Sequence, residues 1–141
     1  MLVAASALTA CGDDSEQVTA PELISKGDAI CAKGIERFGE IQAEPPANPN
    51  EAADQTNELV DAATDELNDL RKLRPPDELG DKYESYLQAR SRALELLEEG
   101  RDAAEDRDAE GYAAAQTEVT AQQPERLKLA QAVGFKTCSK P

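Results

Sequence analysis

The residues of this chain that could do chemistry are its three cysteines, Cys11, Cys31 and Cys138, because the sequence contains no histidine. The lack of histidine excludes a Ser-His-Asp or Cys-His catalytic centre, a two-histidine zinc site and the Glu-x-x-His di-iron sites of helical bundles. Cysteines can still be acylated, form a disulfide, react as thiols or bind a metal through sulfur. The surroundings of each cysteine indicate which of these applies.

Cys11 follows an uncharged apolar run at residues 2–8. A membrane-spanning helix needs about 20 apolar residues, so the run predicts the hydrophobic part of a secretory signal over residues 1–10. The motif Leu8-Thr9-Ala10-Cys11 resembles the bacterial lipobox, which implies cleavage after Ala10 and acylation of Cys11. No Lys or Arg precedes Cys11. We therefore expect the true start codon to lie further upstream.

Acylation of Cys11 would anchor the chain to the outer face of the cell membrane, because two acyl chains give stable attachment where one is marginal. Residues 11–20 would then be the lipidated cysteine and a short flexible tether, since residues 13–20 are polar and without periodicity. The alternative is a disordered apolar N-terminus that holds a cysteine by accident.

Cys31 and Cys138 remain as an even pair once Cys11 is assigned to lipid, and an exported chain meets oxidising conditions. The sequence therefore predicts a disulfide between two residues that are 107 positions apart. The chain-entropy model gives about 4.7 kcal/mol for closing such a loop, although measured values are typically about 2–4 kcal/mol. A reactive thiol pair and a metal site are the alternatives.

The formal net charge of −14 restricts the partners. Because residues 1–10 carry no charge, all of it belongs to the part behind the signal. Such acidity repels the phosphates of nucleic acids and anionic lipid headgroups, so neither is expected to bind the folded body directly.

Hydrophobic periodicity and proline positions predict helices, with no competing strand pattern. The first helix begins at Thr19-x-x-Glu22 with Pro21 in its first turn, and it places Cys31 on the buried face. The prolines at 45, 46 and 49 end it. Asn50 is predicted to cap a second helix over about residues 51–73.

The second half of the chain predicts two more helices. Pro75-Pro76 forms a corner, and a third helix follows to about residue 105. Asp108 caps the fourth, Pro124 bends it, and Gly134 ends it. The short connections favour an all-α, up-down-up-down antiparallel four-helix bundle over residues 21–141. Cys31 and Cys138 can meet if the first helix overhangs the bundle or if the tail runs back along it.

The resemblance is not limited to the lipobox and rests on four motifs in all. They are the lipobox itself, Gly-Asp-Ala-Ile-Cys-Ala at residues 27–32, Leu-Arg-Pro-Pro-Asp-Glu-Leu at residues 73–79, and Val-Gly-Phe-x-x-Cys at residues 133–138. The chain resembles the small, cysteine-paired helical lipoproteins of actinobacteria over most of its length. This resemblance implies a fold and an envelope location, and it implies no reaction, ligand, cofactor or partner.

Three groups of side chains are candidates for a binding site. Tyr83, Tyr86 and Arg90 share one face of the third helix, where they either contact a ligand or border the core. On that face Arg90 and Arg101 are expected to lie along the core edge and to pair with carboxylates of a neighbouring helix.

The other two groups are charged. An acidic group near the third corner suits a hard cation such as calcium, but it lacks the spacing of an EF-hand loop, and solvated helix ends explain it as well. A basic corner formed by Arg71, Lys72, Arg74 and Lys82 could bind a phosphate or an acidic partner, or simply complement the helix dipole. The acidic group consists of Glu98, Glu99, Asp102, Glu105, Asp106, Asp108 and Glu110.

The leading hypothesis is therefore a non-enzymatic lipoprotein, anchored through Cys11, that acts as a structural or protein-interaction module of the cell envelope. The rival hypothesis is a solute- or cation-binding, sensor-like module that holds a small ligand between its helices. A hydrolase or transferase is the third hypothesis, and it requires at least two converging carboxylates with shifted pKa values in a cleft. No cofactor and no metal site is predicted.

Overall fold

A computed structural model describes residues 17–141. That part of the chain forms four α-helices and no strand: α1 (Ala20–Ile41), α2 (Pro49–Arg71), α3 (Gly80–Glu105) and α4 (Ala109–Val133). Each helix packs against the next one in the chain. The predicted all-α four-helix bundle is confirmed. The predicted signal peptide and Cys11 lie outside the described residues.

The helix ends are set by local sequence. Thr19 and Glu22 form the predicted capping box at the start of α1, in which each residue's side chain accepts a hydrogen bond from the other's backbone N–H. Asp108 caps α4 as predicted, since its carboxylate accepts a hydrogen bond from the N–H of Gly111. Gly134 ends α4 with a φ of 106°, which favours glycine because it has no Cβ.

Two predicted boundaries are wrong. Asn48, rather than Asn50, caps α2, because its side chain accepts from the N–H groups of Asn50 and Glu51 while Pro49 occupies the first helical position. A proline there lacks only a donor that the first turn cannot use. The third helix is preceded by a short 3₁₀ turn, Asp77–Leu79, and α3 itself begins at Gly80.

The described end of the predicted tether is also not free. The backbone N–H of Val18 donates to the carbonyl of Arg74, and the side chain of Gln17 donates to Pro75 and to Asp77. Residues 17–19 are therefore docked on the α2–α3 corner, and the flexible tether predicted over residues 11–20 is wrong for this part of it. The sequence missed this because the contacts join residues nearly 60 positions apart.

The core has two parts. The disulfide end comprises a cluster around two tyrosines and a phenylalanine: Leu23, Cys31, Leu70, Tyr83, Tyr86, Ala130, Val133, Phe135 and Cys138. The loop end, beneath the α1–α2 and α3–α4 connections, comprises Val60, Ala63 and Leu97, with Phe38, Leu94 and Val119 packed against them. On each helix, the residues that separate the two clusters in sequence also separate them in space.

The C-terminal tail runs back along α1, which decides between the two arrangements that the sequence left open. Phe135 packs so closely on Gly27 that a Cβ at position 27 would collide with the phenylalanine ring. The carboxylate of Asp28 accepts hydrogen bonds from the backbone N–H groups of Lys136, Thr137 and Cys138. Asp28 thereby holds Cys138 beside Cys31, which lies about one turn after Asp28 on α1.

Pro124 lies inside α4, which is continuous from Ala109 to Val133. Within residues 17–141, none of the helices is long and apolar enough to cross a lipid bilayer.

Candidate functional site

A layer of charged side chains separates the two parts of the core. Glu66 of α2 forms an ion pair with Arg90 of α3, and the charges of both residues act on Arg126 of α4. The side chain of Glu66 is 7% exposed and that of Arg90 is 19% exposed. We call Glu66, Arg90 and Arg126 the polar layer. It confirms the expectation that Arg90 pairs with a carboxylate of a neighbouring helix.

A glycine on α1 makes room for this layer. A Cβ at Gly34 would collide with the carboxylate of Glu66. Because any larger residue would push the carboxylate away, Gly34 is what allows Glu66 to lie against the backbone of α1. All four helices therefore contribute to the layer.

Arg126 is the unbalanced member of the polar layer. Its Nη1 is enclosed and has no hydrogen-bond acceptor among the described residues. Removal from water lowers the pKa of Arg126, and the neighbouring charge of Arg90 lowers it further. A buried donor that lacks an acceptor costs about 1–3 kcal/mol, and more when it is charged. Arg126 therefore weakens the fold unless an acceptor reaches it.

Two adjoining cavities border the polar layer. One, of about 350 Å³, lies between α1, α4 and the C-terminal tail, and its wall includes Cys31, Cys138 and Leu127. The other, of about 280 Å³, extends toward the loop end and includes Leu94 and Val119. Both share the side chains of Phe38, Gln42, Arg90, Gln123 and Arg126. This arrangement combines apolar walls with amide groups and a guanidinium, which are polar groups of the kind that orient a ligand in a small-molecule site.

Of the two alternatives for this face of α3, burial favours the core for both tyrosines. Tyr83 is 2% exposed and Tyr86 is fully buried, so neither reaches a surface. The hydroxyl of Tyr83 donates to the carbonyl of Leu70 at 2.6 Å. Burial raises the pKa of both phenols. The tyrosines are core residues of the disulfide end, and of the three candidates Arg90 alone borders a cavity.

The predicted pairing of Cys31 with Cys138 is confirmed. Their sulfurs are 2.07 Å apart and their Cα atoms 5.2 Å apart, within the range of a disulfide. The hydroxyl of Tyr86 lies 3.6 Å from the sulfur of Cys31. Since a bonded cysteine has no thiol hydrogen, the tyrosine is the donor.

The acidic group near the third corner is not assembled into a metal site: among residues 17–141, no three acidic or cysteine side chains are placed to hold an ion. Asp102 pairs with Arg101, contrary to the expectation that Arg101 would reach another helix.

The basic corner is likewise engaged within the protein. Lys72 pairs with Asp69 at 2.7 Å, and the guanidinium of Arg71 donates to the hydroxyl of Ser91 at 3.3 Å. These contacts favour the structural explanation of the corner.

Glu66 and Arg126 were missed as site residues, although their spacing contains a signal. On α2, Glu66 falls between Ala63 and Leu70 at intervals of three and four residues, which is the buried stripe. On α4, Arg126 is seven residues beyond Val119 and four before Ala130, again on the inward face. A charge at such a position on each of three helices predicts a buried ionic layer.

Comparison with known proteins identifies no relative of this chain. No family model matches it, and neither a curated protein nor a solved structure is significantly similar to it.

Proposed function

We propose that this chain is an exported lipoprotein, anchored to the extracytoplasmic face of the cell membrane through acyl groups on Cys11. Its helical bundle acts there as a non-enzymatic structural or protein-interaction module of the cell envelope. The observation that supports export most directly is the approach of Cys31 and Cys138 to bonding distance. Disulfides form and persist in oxidising compartments and are rare in the cytosol.

The build of the bundle agrees with a tethered module of this kind. Residues 17–19 are docked on the α2–α3 corner, so a tether that starts at Cys11 would leave the bundle at its disulfide end. The loop end would then point away from the membrane. A net charge of −14 would also keep the bundle off an anionic lipid surface. The resemblance to cysteine-paired actinobacterial lipoproteins supports the same location.

The non-enzymatic assignment rests on how the buried carboxylate is used. Among the described residues, Glu66 is the only Asp or Glu that is buried, and Arg90 neutralises its charge. General acid–base catalysis needs a carboxylate that can exchange a proton with a substrate, commonly with a second group that converges on it. The neighbours of Glu66 in the polar layer are arginines, which suit charge balance rather than proton transfer.

A solute-binding module is the second candidate, and one observation favours it. The polar layer borders two cavities and presents a guanidinium whose Nη1 lacks an acceptor among residues 17–141. The excess positive charge there favours an anion over the cation that the acidic composition first suggested.

Membrane fractionation with two matched cysteine variants tests the proposal. Cys11→Ala should move the protein from the membrane to the soluble fraction, whereas Cys138→Ala, which removes a cysteine outside the lipobox, should leave it in the membrane. Alkylation of the wild type without reductant, followed by intact mass measurement, should leave both Cys31 and Cys138 unmodified. Retention of Cys11→Ala in the membrane, or two alkylated thiols, would contradict the proposal.

A further inference from the structure

The polar layer contains one more positive charge than it balances. Glu66 is paired with Arg90, and Nη1 of Arg126 has no hydrogen-bond acceptor among residues 17–141. Of the other residues nearby, Lys140 and Pro141 lie at the exposed rim of the larger cavity, outside the inner site. Asp28, which also acts on Tyr86, is committed to the backbone of the tail. The inner site therefore has an excess of one positive charge.

The side chains around Arg126 define what could supply the missing negative charge. Phe38 and Leu127 provide apolar surface, and Gln42 and Gln123 provide amide donors and acceptors. A cavity of about 350 Å³ is at the lower end of the range for small-molecule sites, which is about 300–1,000 Å³. A ligand that fits these walls is small, with one charged end and an apolar body.

We propose that Arg126 binds the carboxylate of a small monoanion whose apolar body lies against Phe38 and Leu127, and that the Arg90–Glu66 pair fixes the position of the site. A carboxylate suits a guanidinium because the two can form parallel hydrogen bonds. A dianion such as a phosphate monoester would leave surplus negative charge next to Glu66. Because Nη1 is enclosed in this conformation, binding requires the guanidinium to turn toward the cavity.

Sodium hexanoate is the probe for this site, because it has one carboxylate and a short apolar chain. The full chain with its disulfide intact is titrated and followed by NMR of the arginine Nε–Hε and glutamine side-chain signals. We expect saturable shifts at Arg126 and Gln123. Hexylammonium chloride at the same ionic strength has the same number of carbon atoms and the opposite charge, and it should give no saturable shift at these residues.

Arg126→Gln should weaken hexanoate binding by about tenfold or more, since it removes a charged donor. Arg92→Gln is the matched control: it removes the same charge from an exposed position on α3, and it should change the affinity by less than about twofold. Circular dichroism establishes that each variant is folded. If Arg126→Gln does not fold, Arg126→Met, which also removes the charge, replaces it, and the comparison of hexanoate with hexylammonium is made on the wild type.

Three results would overturn the proposal: no saturable shift at tens of millimolar hexanoate, equal binding of hexylammonium, or unchanged hexanoate affinity in a folded Arg126 variant. The proposal does not depend on membrane attachment, since binding is measured in solution. Its failure would leave the fractionation result untouched, and a soluble wild-type protein would leave this site untouched.

Discussion

The disulfide end and the loop end of the bundle bury different kinds of residue. Tyr83, Tyr86 and Phe135 are all within the disulfide end, where the two tyrosine rings lie 6.2 Å and 5.4 Å from the phenylalanine ring. The buried residues of the loop end are aliphatic, such as Leu59 and Leu97, or small, such as Ala53 and Ala115. An aromatic side chain buries about 150–250 Å², far more than an alanine methyl group. The hydrophobic stabilisation is therefore concentrated at the disulfide end.

This difference explains how the bundle can tolerate the unbalanced charge of Arg126 in the polar layer. The disulfide, the aromatic cluster and the hydrogen bonds from the tail to Asp28 all lie on one side of the polar layer. They hold α1, α3 and α4 together, so the cavities beside Arg126 do not have to be filled for the fold to persist. Substitutions on the two sides of the layer should accordingly differ in their effect on stability.

The largest difference is expected between the two phenylalanines of the chain. Phe135 is 3% exposed and packs against Gly27 and both buried tyrosines, so Phe135→Ala should lower the free energy of unfolding by about 3–5 kcal/mol. Phe38 is half-buried at the cavity wall, and Phe38→Ala should cost only about 1 kcal/mol. Urea unfolding of both variants measures the difference. Equal losses would show that the two parts of the core contribute alike.

Removal of the disulfide should have the next largest effect. Replacement of Cys31 and Cys138 by alanine should lower the free energy of unfolding by about 2–4 kcal/mol, because the bond closes a long loop in the unfolded chain. Reductant should lower the urea midpoint of the wild type and leave that of the double variant unchanged. A wild-type midpoint that is insensitive to reductant would contradict the pairing.

Within the polar layer, two substitutions should act in opposite directions. Glu66→Gln removes the charge that balances Arg90 and should destabilise the fold by about 2 kcal/mol, less than a fully buried pair would lose because Arg90 keeps some contact with water. Arg126→Met removes the unpartnered charge and should stabilise the fold by about 1 kcal/mol. Thermal unfolding at neutral pH compares the two. A loss of stability in Arg126→Met would show that Arg126 already has a stabilising partner.

The smallest effects are expected at two glycines of α1. Gly39→Ala should stabilise the helix by up to about 1 kcal/mol, since a Cβ there meets no atom within 4 Å. Gly34→Ala introduces the same methyl group earlier on α1, where it collides with the carboxylate of Glu66, and should be destabilising. Melting temperatures of the two variants test this sign difference. Stabilisation by both would mean that Glu66 does not need its position against α1.

Features set by neighbouring residues could be predicted from the sequence. The capping box at Thr19, the cap at Asp108 and the end of α4 at Gly134 each depend on a few consecutive residues, and all three are confirmed. The cysteine pairing is also confirmed. It could be predicted because a single pair of cysteines remains once Cys11 is assigned to lipid. These inferences require no knowledge of distant contacts.

Features that join distant residues were missed. Asp28 accepts hydrogen bonds from the tail, and Gln17 donates to the α2–α3 corner. Both contacts join positions far apart in sequence, and neither side chain gives a sign of such a partner in its local sequence. For Tyr83 and Tyr86 the sequence left ligand contact and core packing open, because periodicity places a residue on a face without giving its depth.

Native-state hydrogen exchange compares the two ends of the bundle most directly. We predict that amides of α1 near Cys31 and of α4 near Ala130 exchange only through global unfolding, whereas those near Ala53 and Ala115 exchange through local openings of lower free energy. Equal protection at both ends, or greater protection at the loop end, would contradict the claim that stability is concentrated beside the disulfide.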